Sequence, residues 1–360
     1  MHLDWLQIKR VRNLLDIKIE AEPRLNVITG ENGSGKTATL EAIYLLSRAR
    51  SFRTPKIQDV IKKGDETLQV TAGTTSTAAG KATLGIEKGR NQIILRNNGS
   101  TVKTVSEQAK NLPLALITPE THLLVTGTPR QRRHWLDWAL FHVEQHYLED
   151  WRDYFKALRQ RNSLLKAGNR NQGLYEGWER TMAEAGVRLL TARQRFLKTL
   201  QEISNPLLNK VFYGEFKIRF NAGEYNNEDL FKAYLVNERA KDRVNGFTRN
   251  GPHRADLEFM FENERVAANF SRGQIKLFIS LLILAEAKAL YEASGEYPII
   301  LVDDYDAELD KKASEYLLSI LCDLPFQVFL TSVNKSMPHI FSKDFARFHV
   351  EHGKVQKMIK

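Results

Sequence analysis

Residues 25–53 read LNVITGENGSGKTATLEAIYLLSRARSFR. An apolar run, Leu25 to Thr29, enters a glycine-rich turn. A lysine and a hydroxyl follow, then apolar residues at Leu40, Ile43, Tyr44 and Leu46, which is helical spacing. Gly30-Glu31-Asn32-Gly33-Ser34-Gly35-Lys36-Thr37 fits the pattern G-x-x-x-x-G-K-[ST] between a strand and a helix. Glycines let such a loop curl so that successive N–H groups face phosphate oxygens, and the helix adds its positive end. The expected ligand is ATP, with Lys36 bridging the β and γ phosphates and the Thr37 hydroxyl on Mg2+.

A phosphate loop needs a carboxylate for its metal. Ile299-Ile300-Leu301-Val302 reads as a core strand running into Asp303 and Asp304. An acid at the C-terminal end of such a strand faces the crevice where ligands bind. Asp303 is expected to hold Mg2+, and Asp304 to polarise the attacking water. A compact nucleoside kinase or GTPase keeps these two pieces much closer in sequence. Something large is inserted between Lys36 and Asp303.

The chain of 360 residues is long enough for two domains, or for one with a sizeable insertion. Its 53 lysines and arginines against 43 acids leave a net charge of +10, which suits a polyanion such as nucleic acid and equally a merely basic enzyme. Cys322 is the single cysteine, so no internal disulfide forms, as suits a reducing compartment. The N-terminus MHLDWLQIKRVRNLL lacks an unbroken apolar run. The most apolar later stretch, IKLFISLLILAEAKAL, carries Ser280, Glu286 and Lys288 and is too short for a membrane span. A soluble cytoplasmic protein with no membrane partner is expected.

Residues 1–112 read as strand-rich with one strong helix. LDWLQIKRVRNL and LDIKIEAEPRLNVIT look like strands, and TLQVTAGTTS, KATLGIEKG and NQIILRNNGS alternate into a small antiparallel sheet. Residues 113–250 are mainly helical. The stretch 130–166 contains no glycine or proline and, as one helix, would run roughly 55 Å, although a break is compatible with it. A second long amphipathic segment, 174–212, stops near Pro206, and KAGNRNQG between the two suggests an antiparallel pair. FKIRFNAG is an expected strand. Residues 251–360 return to α/β texture.

FSRGQIKLFISLLILAEAKAL reads as a helix capped by Ser271, with Gly273 allowing close backbone approach. It is either a well-capped helix and nothing more, or a second anion cradle. The first cradle already serves one nucleotide. A second is most simply used on the γ-phosphate held by another copy, giving an ATP-dependent homodimer with two nucleotides sandwiched between subunits.

At this point GENGSGKT, SRGQ near LVDDYDAELD, and Glu308-Leu309-Asp310 together resemble an ABC-type P-loop ATPase head. More narrowly, the chain resembles the RecF family of bacterial recombination mediators, relatives of the SMC proteins. The resemblance rests on KRVRNL (9–14), SRARSFRT (47–54), ITPETHLLVTGTPRQRRHWLDWAL (117–140), LRQRNSLLK (158–166), NGPHRAD (250–256), FSRGQIKL (270–277) and LVDDYDAELD (301–310). It implies an α/β ATPase head, residues 1–112 plus 251–360, and a mainly helical second lobe, residues 113–250. It implies a weak DNA-stimulated ATPase that binds duplex, gapped or junction DNA and works with RecO and RecR to help load RecA. Ser271, Gly273 and Gln274 would act across the dimer. Asp310 would lie in the loop after the Asp303 strand, and Pro119-Glu120 near the junction with the helical lobe. The chain departs from the family at Ala307, where serine is usual, and at Ala255, where several relatives carry an acid.

The insert lacks sustained a/d heptads, so a compact lobe is expected and not a coiled-coil arm. His142 and His146 are four apart with Glu144 between them, which is not the H-E-x-x-H metal pattern. His253, beside Arg254, is either a structural turn residue or a sensor of phosphate or a partner. Candidate DNA contacts are Arg48, Arg50, Arg53 and Lys56, with Arg130, Arg132 and Arg133 on the helical lobe. Such binding would rest on phosphate contacts and be salt-sensitive.

Overall fold

Alternation of apolar and polar side chains makes strands of the N-terminal segment. In the computed structural model, which describes residues 1–223, 225, 227–333 and 345–358, it forms β1 (His2–Val11) and β2 (Leu14–Glu20). β3 (Leu25–Thr29) is buried at all of its positions, as befits a central parallel strand. The phosphate-loop motif leads into α1 (Lys36–Arg48). β4 (Thr67–Ser76), β5 (Gly80–Gly89), β6 (Ile93–Asn97) and β7 (Ser100–Thr101) follow, then α2 (Val105–Asn111) and β8 (Leu114–Ile117).

The next residues are α3 (Leu123–Thr126), α4 (Pro129–Val143), α5 (Tyr147–Lys166) and α6 (Gln172–Leu208). The 130–166 stretch is therefore two helices, not one, despite its helix-forming composition. The reason is tertiary: Asp137 on α4 accepts from Tyr147 Oη at 2.6 Å and Trp151 Nε1 at 3.2 Å, so the start of α5 folds back onto α4. α5 and α6 run antiparallel, since Asp150 pairs with Arg188 while the later Arg161 pairs with the earlier Glu179. β9 (Phe216–Asn221), α7 (Glu228–Asn237), α8 (Arg239–Asn245), β10 (Asp256–Phe261), β11 (Glu264–Arg265) and α9 (Val266–Asn269) complete this part. Its sheet has the order β11-β10-β9.

α10 (Arg272–Ser294) is apolar nearly all round and buried without interruption from Ile275 to Ala287. β12 (Ile299–Val302), α11 (Lys311–Asp323), β13 (Val328–Ser332), β14 (Phe345–Glu351) and β15 (Lys354–Met358) follow.

Contacts divide the chain into two units, residues 1–121 with 271–360 and residues 122–270. The first contains an antiparallel sheet of order β2-β1-β4-β5-β6-β7 and a second of order β15-β14-β3-β13-β12-β8, parallel from β14 to β8. One core joins Leu6, Ile8 and Val70 of the former, Leu40, Ile43 and Leu46 of α1, and Leu301 and Phe329 of the latter. Two stretches, residues 113–121 and 251–270, fall on the other side of the sequence-based division at 113 and 250. β8 pairs with β12 and so lies in the first unit; β10 pairs with β9 over six residues and so lies in the second. Among the described residues no helix is long and apolar enough to cross a membrane.

Candidate phosphate and metal site

β3 lies between β13 and β14, both parallel to it, and delivers its loop to the C-terminal end of the sheet. The loop is packed so closely that side chains are excluded. At Gly30, φ 155°, a Cβ would come 2.3 Å from the Val350 carbonyl oxygen. At Gly35, φ 122°, it would come 2.8 Å from Leu14 Cδ2. Two outside residues hold the loop's carbonyls. Asn13 Nδ2 donates to Gly33 O at 3.1 Å and Ser34 O at 2.8 Å, and the Gly353 N–H donates to Ser34 O at 3.2 Å.

Turned carbonyls leave amides for a ligand. Gly35 caps α1 with no side chain, and the first turn carries no acid, so the helix N-terminus is not neutralised from within. The Ser34 hydroxyl is buried and has no hydrogen-bond partner among the described residues. Lys36, 5% exposed, donates from Nζ to Gly30 O at 2.9 Å and Glu31 O at 3.0 Å, which leaves one of its three N–H groups. Such a donor-rich, buried cradle fits a polyphosphate.

β12 is two strands from β3, with β13 between. That is about 10 Å, close enough for side chains from the strand ends to meet. Thr37 Oγ1 donates to Asp303 Oδ1 at 2.9 Å, and Thr331 Oγ1, from β13, donates to the same oxygen at 2.8 Å. Asp303 is 6% exposed. Burial raises its pKa above the usual carboxylate value and the charge of Asp304 adds to this, while the two hydroxyls and Arg53 pull it down. Asp303 Oδ2 has no hydrogen bond among the described residues, so an oxygen donor set for a hard cation stands ready with Thr37. Asp304 has φ 45°, its N–H donates to Thr331 Oγ1 at 2.8 Å, and its buried Oδ1 has no partner among the described residues. Asn13, Thr331 and Gly353 were missed from sequence. Only the hydroxyl ending the apolar run FLT offered a local signal.

Ser271 caps α10 through a reciprocal pair: its Oγ accepts from the Gln274 N–H at 3.3 Å and its N–H donates to Gln274 Oε1 at 2.8 Å. Both residues are exposed, and Gly273 is half-buried. A Cβ on Gly273 would come 2.9 Å from Glu308 O. α10 packs on β8, the edge strand three places from β3. Asp310 caps α11, accepting from the Ala313 N–H at 2.8 Å. Pro119 and Glu120 lie in a 3-10 turn, 119–122, directly after β8.

Several other residues have settled positions. Arg132 chelates Asp256 at 2.8 and 2.9 Å, and Arg133 donates to Ala255 O at 2.7 Å. Both are therefore engaged within the second unit, whereas Arg50, Arg53, Lys56 and Arg130 are exposed. Arg48 lies half-buried over the Tyr44 ring, 5.5 Å from its centroid. His253 contacts Tyr154 Oη at 2.7 Å and Thr248 O at 3.0 Å, and burial lowers its pKa to about 4, the features of a structural turn residue. His142 ends α4 while His146 caps α5, so they do not share a helix.

A phosphate cradle between parallel strands, with a serine-capped helix carried on the far edge of the same sheet, is the arrangement of an ABC-type ATPase head. The family described as RecF/RecN/SMC N terminal domain matches residues 2–356. The DNA replication and repair protein RecF of Nitrosococcus oceani is 35% identical over the whole of both chains. That of Pseudomonas aeruginosa strain LESB58 is 35% identical over 99% of this chain and 98% of its own. The solved structure "recombination mediator protein RecF-ATP in RecFOR pathway" superposes with TM-score 0.89 at 28% identity, covering 99% and 98% of the two chains. The Smc head of Pyrococcus furiosus, at 15% identity and TM-score 0.59, shares the fold. The chain belongs to the RecF family of ABC-type ATPases.

Proposed function

We propose that this chain is an ATP-gated, DNA-binding recombination mediator whose two copies close around nucleotide and reopen after slow hydrolysis. In this reading it acts at gaps with RecO and RecR to aid RecA loading, as the resemblance implies. Gly30 to Thr37 bind the triphosphate, Thr37 and Asp303 would hold Mg2+, and Asp304 polarises water. Once bound, the cation would neutralise charge developing between the β and γ phosphates.

One observation supports the shared pocket above all. The Ser271–Gln274 cap is exposed, its polar groups are bonded to each other, and its helix rides on β8, about 14 Å of strand spacing from β3. A second copy is the natural source of a γ-phosphate for it. DNA would then meet exposed cations such as Arg50 and Lys56, through phosphate contacts.

Sedimentation with and without ATP and duplex DNA tests this. The parent is expected to dimerise only with ATP, and both Lys36→Met and Ser271→Arg to stay monomeric. A Ser271→Arg protein that still dimerises rules out the cross-subunit pocket.

A further inference from the structure

The ammonium of Lys276, one turn into α10, is fully buried and plays no part in the phosphate cradle. Its partners are not carboxylates. Nζ donates to the backbone carbonyls of Asp304, at 3.3 Å, and Ala307. Burial lowers its pKa, while Glu308, Asp304, Asp306 and Asp303 act to keep it charged. Thus four acids surround it, yet its donors go to the main chain.

The loop it grips has an unusual backbone. Asp304 has φ 45° and Glu308 φ 64°, the left-handed region that side chains disfavour. Such a conformation persists only where neighbours over-determine it. Here the Asp304 N–H bonds Thr331 Oγ1, the Tyr305 N–H bonds Thr331 O at 3.2 Å, Ser332 Oγ donates to Asp306 Oδ2 at 3.1 Å, the Ala307 N–H returns to Asp304 O at 3.0 Å, and Lys276 donates to the Asp304 and Ala307 carbonyls. The first turn of α10 also presses on the loop at Gly273, next to Glu308 O. α10 therefore touches the loop at two points, Gly273 and Lys276, three residues apart on one face of its first turn.

We propose that Lys276 is a positioning residue that holds the 304–308 loop, and with it Asp304, in register with the exposed Ser271–Gln274 cap. Rigid α10 then carries any displacement of the cap to the backbone of Asp304. Engagement of the cap by a second copy and the placing of the water-polarising carboxylate become one event. The inference rests on the shared-pocket reading above, which it deepens: it names the link between closure and hydrolysis.

The test compares the full chain with Lys276→Met, which keeps length and loses the donors, and Lys276→Gln, which keeps amide donors without charge. Four quantities are read: affinity for a fluorescent ATP analogue, ATP-dependent dimerisation, kcat at saturating ATP, and amide exchange at Asp304 and Ala307 without nucleotide. For Lys276→Met, analogue affinity stays within about twofold and the dimer forms. Its kcat falls on the order of 10–100-fold, the effect of a misplaced reacting group, and exchange in the loop accelerates. Lys276→Gln lies between, and carries the test if the methionine variant does not fold. Unchanged kcat and exchange in the variant that folds overturn the proposal. So does a parallel loss of ATP affinity, dimer and kcat, the mark of a merely structural lysine. Failure of the parent itself to dimerise with ATP would instead strike the shared-pocket reading.

Discussion

Asp303→Asn is expected to make the nucleotide-free protein more heat-resistant while removing nearly all ATP hydrolysis. The buried Asp303 carboxyl has a raised pKa, chiefly through burial and then through Asp304. A raised carboxylate pKa means that the folded state binds the proton more tightly than the unfolded one. The stabilising share is fully present below the unfolded pKa and is lost as pH rises through the folded value, so at neutral pH the charge is a burden. Asparagine keeps the Oδ1 acceptor used by Thr37 and Thr331 and drops that charge. The variant should melt a few degrees higher at pH 7, and the gain should shrink toward pH 4. Losing the anionic ligand forfeits several kcal/mol of charge stabilisation in the transition state, roughly a thousandfold in rate. Calorimetry across pH and phosphate release check both halves. A lower melting temperature at pH 7 contradicts the assignment of strain to this carboxylate.

Arg161→Met should destabilise the second unit by about 3 kcal/mol, a large part of the 5–15 kcal/mol that holds a domain folded. Arg161 is fully buried between α5, α6 and α8. It donates to Glu179 at 3.1 Å, Asp242 at 2.8 Å, Thr248 Oγ1 at 2.7 Å and Leu235 O at 2.8 Å. Arg239 also pairs with Glu179 and Arg249 with Asp242, so the orphaned acids are only partly compensated. Methionine fills the volume but satisfies none of these acceptors. Adding Glu179→Gln and Asp242→Asn should recover much of the loss. Urea unfolding of the single and triple variants reads the difference. A single variant within about 0.5 kcal/mol of the parent, the ordinary scatter of surface substitutions, would mean that the network is stabilisation-neutral.

What was legible in sequence was local. The phosphate loop, the acid after an apolar strand and the serine cap each occupy a few consecutive residues, and each sits on the expected element. What was not legible came from distant partners. Nothing near Asn13, in the β1–β2 turn, or Gly353, in the β14–β15 turn, says that they bond the loop at 33–34, because both reach it only through the fold. The spacing at Leu40, Ile43, Tyr44 and Leu46 indicated a helix but said nothing of what surrounds it. α1 is buried on nearly every side, with Glu41 held by Arg12 at 2.8 Å and Ser47 bonded to Leu112 O at 2.7 Å. The bend between α4 and α5 has no glycine or proline to announce it. The limits of the helical unit depend on strand pairings, β8 with β12 and β9 with β10, that no local pattern encodes.

The pocket shared between copies is tested most directly by mixing two inactive variants. A copy with Lys36→Met still offers an intact Ser271 cap, and a copy with Ser271→Arg still offers an intact phosphate loop. Their mixed dimer contains one whole site, so ATP hydrolysis should appear on mixing where neither variant hydrolyses alone. A mixture as silent as its components, or a Ser271→Arg protein active by itself, would contradict a site built from two subunits.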